Sequence, residues 1–349
     1  MPFLRKHLQS IAGYTPGEQP PPGSSVIKLN TNENPYPPSP EVFRVLQTLD
    51  PEWLRRYPDP TTVALRQAVG EVLNVHPDWI AVGNGSDELI GLVVRAFVEP
   101  GETAIYPMPS YVYYRAVAQV QEAQPVEIAY DEAFNFPLKE ILDAQGAVTF
   151  VASPNSPLGN VVSINNLETL AANLQGLLVV DEAYVDFTST NALHLVQKYR
   201  NVIVLRTLSK GYSLAGLRLG FAIAHPALIR DLNKIKDSYA VDAIAALVGA
   251  AAIRDQPYKN SNVRKVLRSR AILHRDLAAL GFRVWPSEGN FLLVQPPREI
   301  AAIALQQQLK ARGILVRHFD VAGVADKLRI TVGTDEQNAQ LCQRLQELM

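Results

Sequence analysis

Residues 177–187, LLVVDEAYVDF, and residues 202–221, VIVLRTLSKGYSLAGLRLGF, decide how this sequence is read. Each opens on an apolar run, 177–180 and 202–205, too short for a buried helix and rich in β-branched residues. Each run then stops at a polar cluster: Asp181-Glu182 in the first, Arg206-Thr207-Leu208-Ser209-Lys210 in the second. An uninterrupted apolar run bounded in this way reads as a strand covered on both faces. The same pattern recurs outward at 80–82, 103–106, 147–152 and 221–224. Between these runs lie segments with helical spacing, 62–73, 87–97, 111–119 and 165–174. Strands alternating with helices predict an α/β fold built on a mostly parallel sheet.

Beyond this region the pattern changes. Residues 231–280 read as helical throughout. Strands are then expected at 282–285, 291–294, 314–317 and 328–332, with a helix over 299–312. A chain of 349 residues exceeds a comfortable single core. The expected division is an N-terminal arm and connector (1–30), a large domain (31–240) and a small α/β domain with its joining helix (241–349). The Pro/Gly-rich stretch 14–25 reads as extended connector. Residues 1–13 read as an arm that packs on a neighbour, since no apolar core with a cleavage site follows the basic residues.

Composition removes several function classes. Lys plus Arg number 33 against 34 acids, a net charge of −1. That balance gives no broad footprint for nucleic acid or an anionic membrane. The most apolar stretch, 241–253, is broken by Asp242 and too short to span a bilayer. A single cysteine, Cys342, forms no internal disulfide and no cysteine zinc cage, and fits a reducing cytoplasm. The six histidines lack metal-ligand spacing, so no metal is expected.

Ligands of open parallel sheets sit beyond the carboxyl ends of the strands, which directs attention to 83–87, 107–111, 153–159, 181–184 and 207–210. An acid at the end of a strand, as Asp181 is, can face a cationic ring nitrogen, and Tyr184 lies one helical turn on. A lysine ending a buried strand among hydroxyls, Lys210, is well placed to form a Schiff base. Arg218 adds a second cation downstream. Taken singly, an acid after a strand is more often a cap or an ion pair, and a lysine there is usually a surface residue. Gly85-Ser86-Asp87 opens the helix expected at 87–97, with Asp87 as its N-cap, so free N–H groups face an anion there. No GK[ST] follows, which excludes a nucleotide P-loop, and 83–88 lacks the third glycine of a nicotinamide-binding turn.

The combination VVDEAYVDF and TLSKGYSLAGLRLGF resembles the signature of fold-type I pyridoxal-phosphate aminotransferases. With LNTNENP (29–35), RYPD (56–59), GNGSDELI (83–90), PSYVYY (109–114), PNSPLG (154–159) and LRITVGT (328–334), the chain resembles the histidinol-phosphate aminotransferase family in particular. The likeness runs in order from Tyr14 to Gly333. It implies a large domain with a seven-stranded-type sheet and pyridoxal 5'-phosphate bound through Lys210. Asp181 would pair with the ring nitrogen, Tyr184 would donate to the phenolic oxygen, and Tyr111 would stack on the ring. Of Tyr111, Tyr113 and Tyr114, at least one is expected to be core aromatic packing. Gly85, Ser86, Asp87, Thr207, Ser209 and Arg218 would hold the phosphate. Tyr57 would reach the cofactor of a second subunit, which implies a homodimer with shared sites.

One loop departs from the family pattern: PNSPLG places Ser156 where an asparagine is usual, leaving open whether Ser156 or Asn155 meets the cofactor. The resemblance also implies that Arg317 and Arg329 bind substrate anions, while Tyr14 and the segment 32–34, with Asn32, close over the substrate. The implied substrates are histidinol phosphate and 2-oxoglutarate, exchanged in ping-pong order. An aromatic aminotransferase and a threonine-phosphate decarboxylase are the nearest alternatives. A non-catalytic ligand sensor is a remote one, since no helix-turn-helix precedes Tyr14.

Overall fold

The computed structural model describes all residues except 1, 2, 12, 14, 15 and 22, with Ser10 described by its backbone alone. Thirteen strands are present among the described residues: β1 (Ile27–Lys28), β2 (Ile80–Gly83), β3 (Thr103–Met108), β4 (Gln124–Ala129), β5 (Val148–Ala152), β6 (Leu177–Asp181), β7 (Val202–Thr207), β8 (Gly220–Ala224), β9 (Arg283–Val284), β10 (Phe291–Gln295), β11 (Ile314–Leu315), β12 (Arg317–His318) and β13 (Leu328–Thr331). Seven form the main sheet in the order β2-β8-β7-β6-β5-β3-β4. Only β8 runs against the others. This is the mostly parallel sheet that the apolar runs predict.

Two-residue alternation sends successive side chains of each strand to opposite faces. Along β7, Val204 packs with Leu65, Leu167 and Val248, whereas Ile203 and Leu205 pack with Leu89, Val93 and Tyr114 on the other face. Helices Val63–Leu73, Ile164–Asn173 and Ala243–Arg254 therefore cover one face, and Gly85–Phe97 and Tyr113–Val120 the other. A third core gathers Leu29, Leu273, Leu292, Leu305 and Ile330 between helices Gln256–Ala279, Ala302–Ala311 and Asp335–Gln346 and the antiparallel sheet β12-β13-β10-β9. Helix Ala243–Arg254 belongs to the first core and the adjoining helix Gln256–Ala279 to the third; Asp255 caps the second of them.

Some expectations are corrected. The strand expected at 314–317 breaks at Val316: β11 pairs parallel with β1, and β12 pairs with β13. The strand β4 has no counterpart in the apolar runs, because it lies at the sheet edge and carries Pro125 and the exposed residues Gln124, Glu127 and Ala129. The helical region resolves into Pro226–Ile235, Ala243–Arg254 and Gln256–Ala279, with Asp242 accepting the Ala245 N–H at 2.8 Å to start the second. Cys342 packs against the third core, and burial pushes its thiol up to about 11. Among the described residues no helix is long and apolar enough to cross a membrane.

Leu205 sits at the centre of the main sheet, fully buried. Leu205→Ala is expected to destabilise the protein by about 2–5 kcal/mol in denaturant unfolding, through lost transfer energy and the cavity left behind. A loss under about 1 kcal/mol would mean that this face of the sheet is not packed as described.

Candidate active site

The carboxyl ends of β6 and β7 open into a cavity of about 440 Å³, walled on the far side by residues of β12 and β13 and by the connector before helix Pro40–Gln47. Lys210 stands three residues past β7. Its Nζ lies 3.1 Å from the Thr31 carbonyl oxygen and 5.8 Å from the centre of the Tyr184 ring. The turn that carries it closes on itself: Leu214 N–H donates to the Leu208 carbonyl at 3.1 Å, and Leu208 N–H to that of Leu219 at 3.0 Å. Asn34 Nδ2 donates to the Lys210 carbonyl at 3.1 Å. Gly211 has no room for a side chain, since a Cβ there would come within 2.2 Å of the Asp186 carboxylate.

Asp181 ends β6, buried, and forms part of the cavity wall. Burial pushes its carboxyl up to about 6, against two donors that favour the charged form: the Tyr114 hydroxyl on Oδ2 at 2.7 Å and the Ala183 N–H on Oδ1 at 3.1 Å. Tyr184 follows. Burial alone would raise its phenol, but the cations Lys210 and Arg329 outweigh burial and hold it below the usual range. Asn32 Nδ2 donates to the Tyr184 oxygen at 2.8 Å, and the Ser156 hydroxyl is a second hydrogen-bond partner of the phenol.

That contact corrects the expectation that Asn32 touches substrate. Asn32 is 1% exposed and stands behind the wall, with Oδ1 accepting from the Thr331 hydroxyl at 3.0 Å and its carbonyl accepting from Asn290 Nδ2 at 2.9 Å. Its left-handed φ of 54° suits asparagine. Thr31 and Glu33, its neighbours, do line the cavity.

The anion end forms at helix Gly85–Phe97. The helix starts two residues earlier than expected, with Asn84 at the cap, so Asp87 is in the first turn rather than at the N-cap. There it accepts from Arg218 Nη2 at 3.0 Å and from the Tyr111 hydroxyl at 3.0 Å. Two glycines let this corner close. A Cβ on Gly85, whose φ is +83°, would lie 2.6 Å from Arg218 Nη2, and one on Gly220 would lie 2.4 Å from the Ser86 nitrogen. Ser86, Thr207, Ser209 and Arg218 all reach the cavity wall, and the Thr207 and Ser209 hydroxyl oxygens are 3.0 Å apart. Tyr111 also lines the cavity, edge-on to Tyr114 at 5.7 Å; Tyr114 is the core aromatic, stacked on Phe150 at 4.8 Å.

At the opposite end, Arg329 Nη1 donates to Ser156 Oγ at 2.9 Å and Nη2 to the Asn30 carbonyl at 2.6 Å. Arg317 is its cross-strand partner, and both guanidinium groups sit by the Phe319 ring, at 5.5 and 5.3 Å. Asn155 is fully buried, donating to Ser110 Oγ at 3.1 Å and accepting the Leu158 N–H at 3.2 Å. Ser156 therefore faces the cavity, and Asn155 shapes the turn behind it. Tyr57 is 81% exposed, stacked on Tyr239 at 4.5 Å and apart from the cavity wall. Tyr14 lies outside the described residues. Sequence reasoning missed Asn30, Thr31 and Phe319. The first two lie inside LNTNENP, whereas an apolar residue after a short strand gives no chemical signal.

These residues fit pyridoxal phosphate. A buried carboxylate pushed toward protonation calls for a cationic partner, which a ring N–H provides. The Ser86 region at a helix N-terminus, two hydroxyls and Arg218 suit a phosphate.

Asp181 has a consequence for stability that carries a sign. Its folded value, about 6, lies above the ordinary 3.8, so it stabilises the cofactor-free fold fully only below pH 3.8, and that contribution is lost as pH rises through about 6. The loss is on the order of 3 kcal/mol. In the cofactor-free protein, Asp181→Asn is expected to remove this fall in stability between about pH 4 and 6, followed by urea unfolding. An unchanged slope in the variant would show that Asp181 is not buried as the geometry has it.

Comparison with known proteins places the whole chain. Residues 24–345 match the family described as aminotransferase class I and II. A protein of Trichormus variabilis named histidinol-phosphate aminotransferase 1 is 56% identical over 347 residues, 99% of each chain. A Geobacter protein named histidinol-phosphate aminotransferase is 45% identical over 346 residues, 99% of this chain and 98% of that one. The crystal structure of histidinol-phosphate aminotransferase from Sinorhizobium meliloti in complex with pyridoxal-5'-phosphate superposes with a TM-score of 0.90 at 26% identity, over 100% of this chain and 99% of that one. The chain belongs to the class I and II aminotransferases.

Proposed function

We propose that this chain moves the amino group of histidinol phosphate to 2-oxoglutarate, with pyridoxal phosphate held on Lys210. The observation that carries this reading is that Lys210, Asp181 and Tyr184 meet in one cavity whose far wall presents Arg317 and Arg329. When bound, pyridoxal phosphate supplies an aldehyde that condenses with amines and a ring that draws off the electrons of a breaking C–H bond. Everything else falls to the chain.

Asp181 would hold a proton on the ring nitrogen by presenting a carboxylate there. Tyr184 would donate its phenolic proton to the cofactor's ring oxygen. Ser86, Thr207, Ser209 and Arg218 would bind the phosphate, and the ring of Tyr111 would cover the cofactor's face. The Lys210 amine, when free, would be the base that takes the proton from the substrate carbon. The Thr31 carbonyl, 3.1 Å from Nζ, keeps that amine in the cavity.

Two guanidinium groups suit a phosphate dianion, and equally the carboxylates of a dicarboxylic acceptor. One cavity then serves donor and acceptor in turn, and the kinetics are ping-pong. Addition of histidinol phosphate alone is expected to bleach the cofactor's visible band, and 2-oxoglutarate to restore it. Bleaching by phenylalanine but not by histidinol phosphate would move the function to an aromatic aminotransferase. Lys210→Ala is expected to lose more than about a thousandfold in turnover.

The homodimer belongs to the same proposal. Leu54 and Tyr57 are 71% and 81% exposed beside Trp53 and Tyr239, an apolar patch that a second copy would cover. Tyr57 would then serve the neighbour's phosphate site. Co-refolded Tyr57→Ala and Lys210→Ala chains are expected to recover activity that neither variant shows alone, because one site of each mixed dimer is intact. No recovery in mixtures shown to contain mixed dimers would exclude shared sites.

A further inference from the structure

Tyr114 has a place in the site that core packing does not account for. Its ring is fully buried, nearly parallel to Phe150 at 4.8 Å and edge-on to Tyr111 at 5.7 Å. Packing of that kind would be satisfied by phenylalanine. Yet its one polar atom lies 2.7 Å from Asp181 Oδ2. We propose that Tyr114 is a positioning residue for the transfer reaction, its hydroxyl fixing the Asp181 carboxylate against the ring nitrogen of bound pyridoxal phosphate. The inference rests on the reading of the cavity as a pyridoxal-phosphate site.

Three features converge on it. The Tyr114 hydroxyl and the Ala183 N–H take one oxygen each, so the carboxyl group cannot rotate without breaking a hydrogen bond to a fully buried phenol. Both donors favour the charged form, the form that keeps a ring nitrogen protonated, whereas burial and the neighbouring carboxylates Asp87 and Glu182 favour the neutral one. Finally, burial and the adjacent Asp181 hold the Tyr114 phenol well above its usual range, so it stays a donor. Tyr111 precedes the helix Tyr113–Val120, whose N-cap is Val112, and the Tyr114 N–H donates to the Tyr111 carbonyl at 3.2 Å, so one turn at the helix start places both tyrosines.

The test is made on holoenzyme loaded with pyridoxal phosphate labelled at the ring nitrogen, comparing wild type with Tyr114→Phe and Phe150→Leu. Tyr114→Phe keeps the ring and removes the hydroxyl. Its ring-nitrogen NMR resonance is expected to move toward the neutral-pyridine position. Its kcat is expected to fall about ten- to a hundredfold with KM for histidinol phosphate little changed, the size of a lost hydrogen bond to a charged group. Phe150→Leu disturbs the same packing but keeps the hydroxyl, and is expected to leave the resonance in place. A wild-type resonance and kcat in Tyr114→Phe overturns the proposal, as does an equal shift in Phe150→Leu. A wild-type chain that takes up no cofactor overturns the functional reading and this inference together, a result plainly different from a silent variant.

Discussion

The rest of the molecule is organised around one unfavourable placement: a carboxylate, Asp181, at the end of a central strand where it is almost wholly buried. Leaving such a group unpaired is costly, and in practice it takes up a proton instead. The fold supplies what keeps the charged form accessible. The strands β5 and β7 flank β6 on either side, so the backbone around Asp181 is fixed by two parallel ladders. Helix Tyr113–Val120 brings the Tyr114 hydroxyl from one face, and the turn after β6 brings the Ala183 N–H. The remaining requirement is a cation, and under the proposed function a protonated ring nitrogen would meet Asp181 from the cavity in front of it. The same burial that destabilises the protein without its cofactor makes the carboxylate a stronger partner once that ring is bound, since a low local dielectric strengthens every charge pair.

A second constraint is registry between the two sheets. Lys210 belongs to the large sheet and Arg317 and Arg329 to the small one, and a transferase needs them at fixed separation. The connector at 30–34 ties them. Asn32 bonds Tyr184 on one side and Thr331 on the other, Asn34 holds the Lys210 carbonyl, and the Asn30 carbonyl accepts from Arg329. Each such bond contributes only about 0.5–1.5 kcal/mol net, somewhat more where a guanidinium donates. Their effect is geometric: an asparagine side chain both donates and accepts, so a run of them sets the register of two sheets that also meet through the apolar cluster of Tyr130, Leu158, Leu293 and Val324.

The main sheet was legible because buried parallel strands write themselves as unbroken apolar runs, and Asp181, Tyr184, Lys210 and Arg218 because they punctuate those runs. Legibility fails where local chemistry is ambiguous. An edge strand such as β4 carries exposed polar residues and a proline, so it looks like loop. An Asn-rich stretch reads as a turn, and nothing local reveals that its side chains bridge elements some three hundred residues apart (Asn32 to Thr331). Asp87 resembled an N-cap because the true helix start uses Asn84 and a left-handed Gly85. Of Tyr111, Tyr113 and Tyr114, sequence does not say which is core: it is Tyr114 that is fully buried, with its hydroxyl on Asp181, and sequence does not say where a hydroxyl points.

The arginine pair shows how strain in the free site can favour the ligand. Arg317 and Arg329 face each other across antiparallel strands, an arrangement that like charges disfavour. The structure tolerates it by stacking both guanidinium groups near Phe319 and by giving Arg329 the Ser156 hydroxyl and the Asn30 carbonyl as acceptors. An anion that enters between the two cations relieves repulsion as well as forming charge-assisted bonds, so its binding is favoured over that of a neutral ligand of equal size.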